Sequence, residues 1–267
     1  MHFVDRSEIK NPPIEKLKEL NDSHKPNWIS YNKARSEKKT PLPIKPSSGW
    51  LHDQIRTPLK TLFLKNCGYC GTHTDLGNDA EVDHHFPTSL DIKAEYIYNW
   101  ENYIWSCPSC NGMKKHHYPL LNPCLILDMK HIYFHSADGR YLYYKNTPNE
   151  IITKYENTQR YSNLNLKTNP DFRKYIFRDT TENHLKGLKM YWELYEVEAK
   201  VHGEASTEAK NKLDAFNLKK ENFMDLIRSG YHLMLIKYAF DVFCDNQEFN
   251  FPFTIKELIE ESKYLNT

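Results

Sequence analysis

The sequence predicts an α+β fold in which a metal-stapled core of two strands and one helix is followed by a helical lobe. Three observations predict it: two Cys-x-x-Cys doublets bracketing strand-like segments, aromatic-polar alternation around an Asp-Gly turn, and a switch to helical periodicity near residue 179. A chain of 267 residues suffices for one large domain or two small ones. Hydrophobic residues make up 39% and mean hydropathy is −0.75. No stretch approaches the roughly 18 consecutive apolar residues of a membrane span. Asp5, Arg6 and Glu8 occupy the place of a signal peptide's apolar core, so a cytoplasmic protein without membrane association is expected. Lys and Arg number 36 against 35 Asp and Glu, and a net charge of +1 gives no global electrostatic case for nucleic acid.

Residues 1–46 hold Pro12, Pro13, Pro26, Pro41, Pro43 and Pro46 with the basic run Lys33, Arg35, Lys38, Lys39. This composition predicts an extended N-terminal arm around one short helix near 13–20. A core is expected over 47–125. Ser47 or Ser48 can cap a helix over 49–64, where Leu51, Ile55, Leu59, Leu62 and Phe63 share a face. Residues 126–178 are expected to extend a sheet through a hairpin turning at Asp138-Gly139. From 179 to 267 the pattern is helical. Leu185, Leu188, Tyr191, Trp192 and Tyr195 lie on one face, a second helix covers 205–228 and ends at Gly230, and a third covers 231–244. Thr254 and Glu257 form a capping box for a last helix to about 264.

Six cysteines in a chain of this kind point to metal ligands or buried thiols rather than disulfides. Cys67-Gly-Tyr-Cys70 and Cys107-Pro-Ser-Cys110 are separated by 36 residues. Four thiolates fill the tetrahedral sphere of Zn²⁺ and leave no position for a substrate water, so this zinc is structural. One doublet could instead be a redox motif, which would leave the other unexplained. His73 is a weaker fifth candidate, and Cys124 and Cys244 read as small buried hydrophobes.

Between the doublets lies Glu81-Val82-Asp83-His84-His85-Phe86-Pro87, a carboxylate beside an imidazole just before a strand-ending proline. Neighbours on an ideal strand face opposite ways, so Asp83 and His84 share a site only if the strand bends. Trp100 to Ser106 is the second strand candidate, and Asn111 follows the second doublet on a helix. Oxygens of Asp83 and Asn111 suit a hard divalent ion such as Mg²⁺, which also takes substrate phosphate as ligand. His84 is then free as base. Lys114 and Lys115 are candidate backbone-phosphate contacts or solvated surface, and His116 and His117 read as helix-end residues.

These residues resemble the HNH nuclease family, whose ββα-metal core is written as Asp-His-x-x-Pro, a central Asn, and a helix opened by Cys-x-x-Cys-Asn-x-x-Lys. The matching positions are Asp83, His84 and Pro87, then Asn102, then Cys107 to Lys114, within 67–117. The resemblance implies a metal-dependent DNA endonuclease leaving 5′-phosphate and 3′-hydroxyl ends. His84 is implied as general base, Asp83 and Asn111 as ligands of a catalytic Mg²⁺ or Mn²⁺, and Asn102 as the brace of the loop orienting the histidine. His84 is preferred over His85 because the family's histidine stands three residues before the proline. The final motif position is Asn where other members carry His.

The helix leading into Cys67, Trp100-Glu101-Asn102 and Leu121-Asn122-Pro123 further resemble the HNH subunits of bacterial anti-phage systems of the Septu and retron-associated kind. That resemblance implies an ABC-type ATPase partner, with 179–267 as the candidate partner surface. Two other function classes compete with a nuclease acting on DNA or RNA: a non-catalytic zinc module binding nucleic acid or protein, and a scaffold with a decayed site. The intact Asp83, His84 and Asn111 favour the nuclease.

Overall fold

The structure is a computed structural model describing residues 1, 3–74, 80–165, 168–229, 233–247 and 249–262. It is α+β and forms two compact units, Met1–Phe134 with Tyr141–Asn169, and His135–Arg140 with Pro170–Thr267. Among the described residues no helix is long and apolar enough to cross a membrane.

The first unit opens with a difference from expectation. In place of a short helix in an arm, Ile14–Ser36 forms a 23-residue helix, α1, with Pro26 inside it. An interior proline costs about 3 kcal/mol. Leu17 and Leu20 recover about 1.5–3 kcal/mol each on burial, and Trp28, 1% exposed, buries a larger surface still. Tertiary packing therefore outweighs the proline. Extended stretches flank α1, one before it broken by a 3₁₀ turn at Arg6–Glu8 and one between it and a 3₁₀ turn at Gly49–Leu51.

Asp53–Leu62 forms α2 and buries Ile55, Leu59 and Leu62 along one face. Its cap is His52, whose ring accepts from the Gln54 N–H at 3.2 Å, rather than Ser47 or Ser48. Leu51 consequently falls outside the helix and is exposed. After α2 the chain enters the first cysteine knuckle.

Glu81–His84 (β1) pairs antiparallel with Tyr103–Ser106 (β2), placing Asp83 opposite Ile104 and His84 opposite Tyr103. Pro108–Lys114 forms α3, with proline at its start, where a missing N–H costs nothing. The expected two strands and helix are thus present, although Trp100–Asn102 is a 3₁₀ turn rather than strand.

Ile126–Met129 forms α4, and Ile132–His135 (β3) with Arg140–Tyr143 (β4) makes a hairpin around Asp138-Gly139. The hairpin is a separate two-stranded sheet and does not extend the β1-β2 sheet. Two helices follow where none was expected before residue 179, α5 at Asn149–Tyr161 and α6 at Thr168–Arg178.

The second unit is helical. A π-helical turn at Asp179–Leu185 leads into α7, Lys186–His202, which packs along α8, Thr207–Arg228. Leu233–Gln247 forms α9, and Ile255–Glu261 forms α10 with the expected Thr254–Glu257 capping box. Gly230, the start of the expected third helix at 231–232 and the end of the last one at 263–264 lie outside the described residues. Trp192 packs against Tyr195 and Phe216 at ring centroid distances of 5.2 and 5.0 Å, while Tyr191, Trp192 and Tyr195 all stay half-buried.

Candidate active site and metal centre

The four cysteines of the two doublets converge, with all sulfurs within 4.8 Å of one another. The Cys70 and Cys107 sulfurs are 3.9 Å apart. Thiolates at about 2.3 Å from a tetrahedral ion lie roughly 3.8 Å apart, so the cluster fits a metal ion such as zinc. His73 is not in the cluster. Local backbone fixes the first doublet: the Gly68 N–H donates to Trp105 O at 2.8 Å, and Gly71 takes a positive φ of 77°. A Cβ on Gly68 would stand 2.6 Å from Phe63 and 2.8 Å from Ile104, so only glycine fits against β2. The second doublet opens α3, where the Cys110 N–H points at the Cys107 sulfur at 3.4 Å. The segment after α5 supports it, since the Asn163 N–H points at the Cys110 sulfur at 3.4 Å and its amide donates to Ser109 at 2.6 Å.

This knuckle holds β1 beside α3. Between them lies a cleft of about 460 Å³ lined by Asp83, His84 and Asn111, with Arg35, Lys45, Trp50, Lys115 and His116 on its walls. Asp83 and His84 share the cleft because β1 ends at His84. His85 instead turns towards Leu120 and Tyr118.

Asp83 is 5% exposed and fully engaged. Its Oδ2 accepts from the Tyr69 hydroxyl at 2.6 Å and its Oδ1 from Lys114 Nζ at 3.1 Å. Burial, then the Asp83 charge, pushes the Tyr69 phenol well above its ordinary range, so it remains a donor. Lys114 is completely buried and also donates to His84 O at 2.7 Å. It is thus neither solvated surface nor a backbone-phosphate contact. Its aliphatic stem continues the inner face of α3, and the Asp83 carboxylate with a main-chain carbonyl satisfies the ammonium.

His84 Nε2 lies 2.9 Å from Ile97 O. A carbonyl only accepts, so Nε2 carries the proton and Nδ1 has the free lone pair. The ring stands edge-on between Trp50 and Tyr103, at 4.6 and 5.1 Å. Burial pushes its pKa down to about 4, a shift reinforced by the Lys114 and Lys45 charges and opposed by the Ile97 bond and Asp83, so the imidazole is neutral at pH 7.

Asn102 clasps the loop after His84. Its Oδ1 accepts from the Phe86 N–H at 2.6 Å, while Nδ2 donates to Phe86 O at 3.1 Å and Tyr96 O at 3.0 Å. Asn111 Nδ2 donates to the Glu81 carboxylate, which leaves Asn111 Oδ1 as the atom it can offer an ion. Asp83 and Asn111 both line the cleft, and their side-chain oxygens are of the type a hard divalent ion takes.

Sequence reasoning missed Tyr69, Glu81, Arg35, Lys45 and Trp50. Tyr69 and Glu81 were within reach, as the interior of the first doublet and the residue two before Asp83 on the same strand face. Nothing local in the sequence marks Arg35, Lys45 or Trp50 as neighbours of His84.

Strand, knuckle and short helix around this cleft coincide with residues 67–117, which match the HNH endonuclease family. The segment is therefore of the HNH type. The chain is also similar to the Septu protein PtuB of Bacillus thuringiensis, 31% identical over 91 residues, amounting to 32% of this chain. It spans 35% of the length of that relative. No solved structure matches the chain.

Proposed function

We propose that the chain is a metal-dependent HNH endonuclease that hydrolyses DNA phosphodiester bonds. The observation that carries this reading is the meeting of Asp83, His84 and Asn111 in one cleft, with His84 Nδ1 unprotonated. His84 takes a proton from the water that attacks phosphorus in line. Asp83 and Asn111 hold the catalytic Mg²⁺ or Mn²⁺. When bound, that ion stabilises charge on the phosphate and the leaving oxygen. Asn102 fixes the loop that sets the imidazole direction, and zinc on Cys67, Cys70, Cys107 and Cys110 staples strand to helix without entering the chemistry.

The similarity to a Septu protein supports a role as nuclease effector in a bacterial anti-phage complex, with an ABC-type ATPase as partner. Plasmid nicking with Mg²⁺ or Mn²⁺, wild type beside His84→Ala, tests the chemistry: cleavage by wild type alone is expected, and equal cleavage by both would overturn it. Co-purification from the native host tests the partner. A non-catalytic zinc module would bind without cleaving under any divalent ion.

A further inference from the structure

We propose that Arg35 and Lys45, outside the HNH segment, form with Lys115 a grip for nucleic-acid backbone phosphates that seats the strand against His84. The proposal deepens the nuclease reading and rests on it. The cleft walls carry Arg35, Lys45, Lys115 and His116, and Asp83 is its one lining carboxylate, already paired with Lys114. Arg35, Lys45 and Lys115 are exposed, and among the described residues no carboxylate pairs with any of them. Cations facing a cleft without counter-charges suit a polyanion, and arginine with lysine is the pairing that holds phosphate.

The N-terminal segment is fixed where it delivers these charges. One turn before Arg35, the Asn32 amide donates to Thr88 O at 2.8 Å and Asp91 O at 2.9 Å, tying the end of α1 to the loop that supplies Thr88 and Ser89 to the cleft. One turn earlier again, the buried Trp28 donates to the Tyr98 hydroxyl at 3.1 Å. That hydroxyl donates in turn to Ser47 O at 3.2 Å, two residues past Lys45. Arg35 and Lys45 are therefore held at one wall while Lys115, just past α3, stands at another. Contacts of this type position a strand without reading its bases, and they supply locally the attraction that a net charge of +1 lacks.

The test separates binding from cleavage. Full-length His84→Ala protein is titrated by fluorescence anisotropy with labelled duplex DNA, single-stranded DNA and RNA of one sequence, at about 50 to 200 mM salt. Adding Arg35→Gln or Lys45→Gln should weaken binding and flatten the salt dependence by about 0.9 in log–log slope per lost contact on a duplex, or about 0.7 on a single strand. The probe on which the flattening reaches its own per-contact value identifies the strand form gripped. Lys33→Gln, exposed on the same helix but outside the cleft, should change neither. In otherwise wild-type protein, Arg35→Gln should raise KM and leave kcat unchanged. Unaltered slopes on all three probes, or no binding by the parent at the lowest salt, would overturn the grip. Binding with the expected slopes but no cleavage by wild type would instead count against the nuclease reading alone.

Discussion

Lys114 Nζ lies 3.1 Å from Asp83 Oδ1 with both side chains buried, at 0% and 5% exposure. The contact crosses from α3 to β1, and the same ammonium donates to His84 O. A single cation thus fixes the carboxylate and the backbone of the adjacent histidine. The cleft geometry depends on a charge that never reaches solvent.

Lys114→Met keeps the stem's volume and removes the cation, leaving a buried carboxylate with Tyr69 as its remaining side-chain partner. Breaking one side of a buried pair costs about 3–5 kcal/mol. Chemical unfolding should show that loss, and Lys114→Met combined with Asp83→Asn should lose less than the two single changes added together. Additive losses would mean that the two residues are not energetically coupled.

The two histidines should separate cleanly. His84→Ala is expected to lower cleavage by about 10²- to 10⁴-fold while substrate binding persists. His85 Nε2 donates to Leu120 O at 3.1 Å inside the protein. His85→Ala therefore strands a buried carbonyl at about 1–3 kcal/mol of stability and spares the chemical step at temperatures where the fold is intact. Single-turnover cleavage beside thermal unfolding reads both, and a dead but stable His85→Ala would reverse the assignment.

A metal ion held by the four-cysteine knuckle would make it a folding element. Its sulfurs join the end of the α2 segment to the start of α3, so Cys67→Ser or Cys110→Ser should cut soluble yield and metal content together. Elemental analysis of the purified protein should return one zinc per chain in addition to any exchangeable divalent ion. Soluble, cooperatively folding protein without zinc would remove the structural role.

What was legible in the sequence was what short spacing encodes. The cysteine doublets, Asp83-His84, Asn102 and Asn111 stand in compact motifs, and the Thr254–Glu257 box declares a helix start by itself. Long-range placement was not legible. Six prolines and a basic run made 1–46 read as an arm, because the buried Trp28 and Asn32 that anchor α1 find their partners far along the chain. Lys114 looked like surface because a lysine's burial is decided by whether a carboxylate waits across the helix, and that carboxylate is 31 residues away. The segment after α5, whose Asn163 buttresses Cys110, carried no signal tying it to the four-cysteine cluster.

Glu81 offers the last prediction. Its carboxylate accepts from Asn111 Nδ2, and among the described residues this is the side-chain bond that sets which face of the amide is turned to the cleft. Without it the amide can rotate and present its NH₂ group, which no cation accepts as a ligand. Glu81→Ala should therefore raise the Mg²⁺ or Mn²⁺ concentration needed for half-maximal cleavage while leaving the rate at saturating metal within several-fold of wild type. Glu81→Gln, whose amide oxygen can still accept from Asn111, should recover most of the lost metal affinity. Metal titrations of cleavage for the three proteins decide it. Should Glu81→Ala lower the saturated rate without moving the metal midpoint, Glu81 would be acting on the reacting groups directly rather than through the orientation of Asn111.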